Sequence, residues 1–110
     1  MTAAAQAAQM RITETERRTI LDAAGRHFGP EVRVYLFGSR VDDTARGGDI
    51  DLYLERVDLD AAAVLERKLG MRAELHAALG EQRIDLVVQR SGGPELPIHV
   101  VARRSGVELR

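Results

Sequence analysis

Asp49 and Asp51, in the stretch GGDIDLYL, are separated by one residue. At that spacing two side chains leave a strand on the same face, with Cα atoms roughly 6–7 Å apart. Carboxylates so placed can share a small hard cation such as Mg²⁺, which takes one or two carboxylates together with phosphate oxygens and water. Asp85 is a third. It opens the apolar run IDLVVQ at nearly the place that Asp49 to Asp51 hold in theirs, and if the two runs are neighbouring strands its side chain completes a two-metal site. Ten residues before Asp49, Gly38-Ser39 closes the apolar run VYLF in a tight turn whose backbone N–H groups can face an anion. Together these residues outline a triphosphate and metal site. Arg40 is the nearest further cation for the phosphates and Arg46 the next.

Taken singly, each piece has an ordinary explanation. An Asp-x-Asp on a half-exposed strand is more often a solvated outer face, Arg40 is as readily a surface arginine, and Arg46 is more readily one. Their coincidence changes the reading, because three carboxylates converging on a partly dry cleft repel one another unless a cation compensates them. Asp42 and Asp43 fall in the solvated connection between the two runs and read as turn formers. His27, His76 and His99 share no spacing with the carboxylates, so packing or solvent exposure accounts for them. Tyr35 and Tyr53 read as packing residues, although Tyr53 has the parity of the aspartates and is able to border a nucleotide.

The pattern also supplies elements to hold these groups. Thr13 with Glu16 three residues on makes a capping box, Ile20, Leu21, Ala24 and Phe28 follow at helical spacing, and Gly29-Pro30 stops the segment, which predicts a helix over Thr13–Phe28. Val32, Val34 and Leu36 alternate with Arg33, Tyr35 and Phe37, so a strand covered on both faces, hence central, leads into Gly38. A second strand over Asp49–Glu55 carries Ile50, Leu52 and Leu54 on one face. From Asp58 or Asp60 as N-cap a helix runs to Leu79, with Leu65, Leu69, Arg72, Leu75, Ala78 and Leu79 near register, Gly70 marking a point for a break or kink, and Gly80 as its stop. Ile84–Gln89 is a third strand. Pro97 opens a last helix, Ile98–Arg104, ended by Gly106. A fourth strand comes from Val107–Arg110 or from elsewhere. The order describes an α/β (α+β) domain with a small mixed sheet of three to four strands flanked by helices.

Composition narrows the function classes. At 110 residues the chain is expected to form one domain over residues 13–110, after an alanine- and glutamine-rich flexible lead-in over residues 1–12. The absence of cysteine excludes disulfides and thiolate metal sites. A net charge of -1 and an aromatic content of 4% argue against nucleic acid as a partner. No segment approaches the ~18 apolar residues of a membrane span, and the N-terminus lacks a basic leader, which points to a cytoplasmic protein and no membrane.

FGSR, then GGDIDL, then a strand opening on an isolated aspartate resembles the nucleotidyltransferase superfamily of DNA polymerase β, and the length resembles its minimal nucleotidyltransferases. The likeness spans Val32 to Gln89. It implies a polymerase β-like palm in which Gly38, Ser39 and Arg40 bind the nucleotide and Asp49, Asp51 and Asp85 bind two Mg²⁺ ions and carry catalysis, with ATP as substrate. Asp85 would help activate the incoming hydroxyl. Members of this type are encoded beside helical HEPN-type proteins as toxin–antitoxin pairs, which implies transfer of AMP to a tyrosine of a HEPN-type toxin. The chain departs from close relatives in having nine residues, not ten, between Ser39 and Asp49, a difference that Gly47 and Gly48 can absorb. Two alternatives stay open: a non-catalytic antitoxin that neutralises its partner by contact through a helix face around Leu65, Leu69 and Leu75, and transfer to a small molecule.

Overall fold

The computed structural model describes residues 12–38, 50–80 and 82–110. Helix α1 (Glu14–Phe28) begins at the capping box: Thr13 Oγ1 accepts from the Glu16 N–H at 3.0 Å, and the Glu16 carboxylate accepts from the Thr13 N–H at 2.8 Å. Two first-turn donors that would otherwise lack partners are thereby satisfied. Strands β1 (Arg33–Phe37), β2 (Ile50–Val57), β3 (Ile84–Arg90) and β4 (Val107–Glu108) form one sheet in the order β3-β2-β1-β4. β1 is antiparallel to both its neighbours, while β2 and β3 are parallel. Parallel strands need a long crossover, here helix α2 (Ala61–Leu79). Helix α3 (Pro97–Ser105) links β3 to β4.

Strand alternation divides the molecule into two layers of unequal character. Val34, Leu36, Ile50, Leu52, Leu54, Ile84 and Leu86 face α1 and α2, meeting Ile20, Ala23, Ala24, Val64, Met71 and Leu75 in the main core. On the opposite face Phe37 and Tyr53 pack against Ala102 of α3, with Tyr35 and Val87 beside them. β1 is covered on both sides, as its continuous apolar pattern requires. The main core anchors the strands from below, leaving the odd-numbered face of β2 and β3 for Asp51 and Asp85.

Several boundaries differ from expectation, each for a local reason. β2 runs past Glu55 to Val57, because Arg56 takes φ 57 and the register slips so that Val57 again pairs with Arg90. Of the two N-cap candidates it is Asp60 that caps α2, accepting from the Ala63 N–H at 2.8 Å. Gly70 does not break α2, which runs unbroken from Ala61 to Leu79. It lies where α1 crosses, and a Cβ there would come within 3.0 Å of the His27 ring. The expected face around Leu65, Leu69 and Leu75 is divided: Leu75 is fully buried, whereas Leu65 and Leu69 are 59% and 58% exposed. The buried ridge of α2 follows Val64, Met71 and Leu75, and Leu65 lies a residue, about 100°, around the helix from it. The last helix gains one residue at each end over Ile98–Arg104, and the fourth strand is Val107–Glu108, paired with Tyr35 and Leu36.

The crossing of α1 and α2 is clamped by Glu74, which accepts from Arg26 Nε at 3.1 Å and lies 3.0 Å from His27 Nε2. Hydrogen bonding from the Arg26 guanidinium, against the effect of burial and helped by His27, holds the Glu74 carboxyl below its ordinary value. A lowered folded-state value means stability that is present above the unfolded glutamate value of ~4.3 and lost as pH falls through it and on through the folded value. Glu74→Gln is therefore expected to melt earlier than the parent at neutral pH, with the two melting curves converging as the solution is acidified below about pH 4. A gap that stays constant on acidification would show that the clamp does not titrate.

Candidate active site

β2 and β3 begin side by side, and their register places Asp51 directly opposite Asp85. Both carboxylates stand on the α3 side of the sheet, at the N-terminal ends of strands about 4.8 Å apart. Asp85 is half exposed, with Arg83 Nε at 3.6 Å from its carboxylate. Gly38 ends β1 at φ 78, a left-handed conformation that suits glycine. It lies against the Asp51 carboxylate: a Cβ on Gly38 would overlap Asp51 Oδ2 and come within 3.2 Å of Asp51 Cγ. Three segments distant in sequence thus converge on one point. Asp49, Ser39 and Arg40, with Asp42, Asp43 and Arg46, lie outside the described residues.

Asp51 and Asp85 open into a cleft of about 520 Å³ whose walls include Phe37, Leu65, Leu69 and Ile98. Lys68 and Arg72, one turn apart on α2, line it as well. The sequence placed Arg72 near the register of its helix and passed over Lys68, assigning neither to the site. Their spacing showed a shared face, but only the crossover from β2 to β3 shows what that face borders.

Two in-register carboxylates offer an all-oxygen donor set of the kind a hard divalent cation takes. Among the described residues no group of three His, Asp or Glu side chains is placed to hold a metal ion, and Asp51 and Asp85 stand as a pair. The remaining titratable candidates are engaged elsewhere. The Tyr53 hydroxyl donates to Gln89, and burial pushes its phenol up, so Tyr53 is a packing residue closed off from the cleft. Tyr35 donates to Glu55 at 3.2 Å. His99, buried beneath α3, accepts the Leu96 N–H on Nδ1 at 3.0 Å and so holds the start of its own helix, while His76 faces solvent.

This architecture, a mixed four-stranded sheet flanked by helices with acidic residues at the ends of two neighbouring parallel strands, is the α/β fold class that the sequence pattern predicts. It is similar to a chain in the crystal structure of the toxin–antitoxin MntA–HpeT in a mutant form, with 24% identity and a TM-score of 0.61, over 86% of this chain and 71% of that one. At that identity the likeness is one of fold. No protein-family model matches the chain, and no curated protein does. Among the described residues no helix is long and apolar enough to cross a membrane.

Proposed function

We propose that this chain is a nucleotidyltransferase of the minimal, polymerase β-like type, an antitoxin that moves AMP from ATP to a tyrosine hydroxyl of a HEPN-type partner toxin. The observation that carries the reading is the in-register pair Asp51 and Asp85 with Gly38 seated against the first of them. The fold likeness to a chain of a toxin–antitoxin assembly supports it.

In this reading Asp51 and Asp85, with Asp49, would hold Mg²⁺, which when bound would offset the charge of the triphosphate and of the leaving pyrophosphate. Gly38 and Ser39 would offer backbone N–H groups to the β- and γ-phosphates, and Arg40 would add a cation. Asp85, at the open edge of the pair, accepts the proton of the acceptor hydroxyl. The acceptor oxygen bonds to the α-phosphorus, the bond from that phosphorus to the bridging oxygen breaks, and pyrophosphate leaves. The half-exposure of Asp85 leaves it accessible to a hydroxyl arriving from outside.

Intact-mass spectrometry of the protein with ATP, Mg²⁺ and the product of the adjacent gene tests this directly. A gain of AMP on the partner, absent with Asp51→Asn, is the expected result. No gain on either protein while the complex still forms would replace transfer with neutralisation by contact.

A further inference from the structure

We propose that the open edge of β3 docks an extended polypeptide segment of another protein, one alternating apolar with acidic side chains, which adds to the sheet as a further strand. β3 is the last strand on its side: β2 pairs along one edge, and among the described residues no strand pairs along the other. An outer row of backbone N–H and C=O groups is a template for main-chain pairing, and edges are ordinarily blunted by proline, bulges or charge. β3 carries no proline, and its centre, Leu86-Val87-Val88, is wholly apolar.

Both layers beside this edge leave apolar side chains uncovered. Leu65 and Leu69 of α2 are mostly exposed on one side, and Ile98 of α3 is 43% exposed on the other. All three line a single cleft with Leu86 and Val87 of the strand itself. A strand laid along the edge sends alternate side chains to these two sides. Those on one side meet Ile98, and those on the other meet Leu65 and Leu69.

Charge selects the occupant. Lys68 and Arg72 line the same cleft on the α2 side and form no ion pair among the described residues, whereas Asp51 and Asp85 line it on the α3 side, so acidic side chains of an occupant suit the α2 side alone. Glutamates pointing that way cover the leucines with their methylene stems and reach the two cations with their carboxylates. A second copy of this chain, paired edge to edge about a two-fold axis, sets α2 beside its own equivalent and brings these cations toward like charge. The inference rests on the proposed function only in taking the partner to be a protein.

The test is fluorescence anisotropy, without ATP or Mg²⁺, using a labelled, end-capped peptide that alternates valine and glutamate and is as long as β3. Lys68→Glu with Arg72→Glu, and separately Leu65→Asp with Leu69→Asp, are each expected to weaken binding at least about tenfold. Because Leu65, Leu69 and Arg72 are exposed and Lys68 is only partly covered, circular dichroism is expected to show both variants folded. A peptide N-methylated at alternate residues, which cannot pair along the strand, is expected to lose binding to the same degree. Absence of binding to the parent protein, equal binding of a valine–lysine peptide, or undiminished binding of the N-methylated peptide would overturn the proposal. So would a parent dimer in sedimentation that Leu65→Asp converts to monomer, which would give the edge to a second copy. With nucleotide and metal absent, failure here leaves AMP transfer standing, and failure of transfer leaves this binding standing.

Discussion

The Asp85→Asn variant is expected to lose AMP transfer at least about a hundredfold while remaining as stable as the parent, or more stable by up to about 1 kcal/mol. The two effects come from the same geometry. Asp51 and Asp85 face one another across parallel strands, and like charges directly opposite in a sheet oppose folding. Asparagine keeps the shape of the side chain and removes that repulsion. On the proposed function it also removes an anionic oxygen that would help hold a divalent cation and take the acceptor proton. Addition of Mg²⁺ and ATP is expected to raise the melting temperature of the parent and to raise that of the variant less, since a ligand stabilises the state that binds it. A variant that melts earlier than the parent without ligand, yet still transfers AMP, would mean that Asp85 is a structural residue and that the acidic pair is not the reacting centre.

Gly38→Ala is expected to reduce transfer as severely and to destabilise the fold, whereas Gly80→Ala is expected to do only the second. Both glycines have positive φ, at 78 and 85, so a side chain at either costs on the order of 1–3 kcal/mol. They differ in what surrounds them. Nothing lies within 4 Å of a Cβ built on Gly80, while one built on Gly38 runs into the Asp51 carboxylate. Alanine at Gly38 must therefore swing the Asp51 carboxylate aside, away from its place opposite Asp85, or twist the end of β1. Thermal melts measure the shared loss, and AMP transfer separates the pair. Similar transfer by both variants would show that the contact between Gly38 and Asp51 does not position the site.

Much of this architecture was legible in the chain because its determinants are local. The capping box at Thr13 and Glu16 needs only residues three apart, and it forms as written. The two-residue alternation of Ile50, Leu52 and Leu54 sets which face of β2 enters the core and so sets the opposite face for Asp51. The placement of Asp85 was legible only conditionally. Its position at the head of an apolar run suggested the partner of Asp51 if the runs were adjacent, and adjacency is decided by the crossover through α2.

The helices show where local pattern stops. Leu65, Leu69 and Leu75 share an apolar character and a spacing near helical register, yet one is buried and two face solvent. Which stripe of α2 turns inward depends on how it lies across β2, β3 and α1. Gly70 likewise reads as a weak point by propensity, and serves instead to admit the His27 ring that joins Glu74. The fourth strand needed β1 to offer a free edge before Val107 and Glu108 had anything to pair with.

The residue types at the candidate site, the strands and caps that carry them, and the face on which Asp51 stands follow from the chain alone, because capping, alternation and turn chemistry act over a few residues. It took the packed fold to set Asp51 opposite Asp85, to close Gly38 against Asp51, and to bring Lys68, Arg72 and two exposed leucines to the border of one cleft. Those relations join segments dozens of residues apart, and they follow from how the sheet and its helices pack to exclude water from a common core.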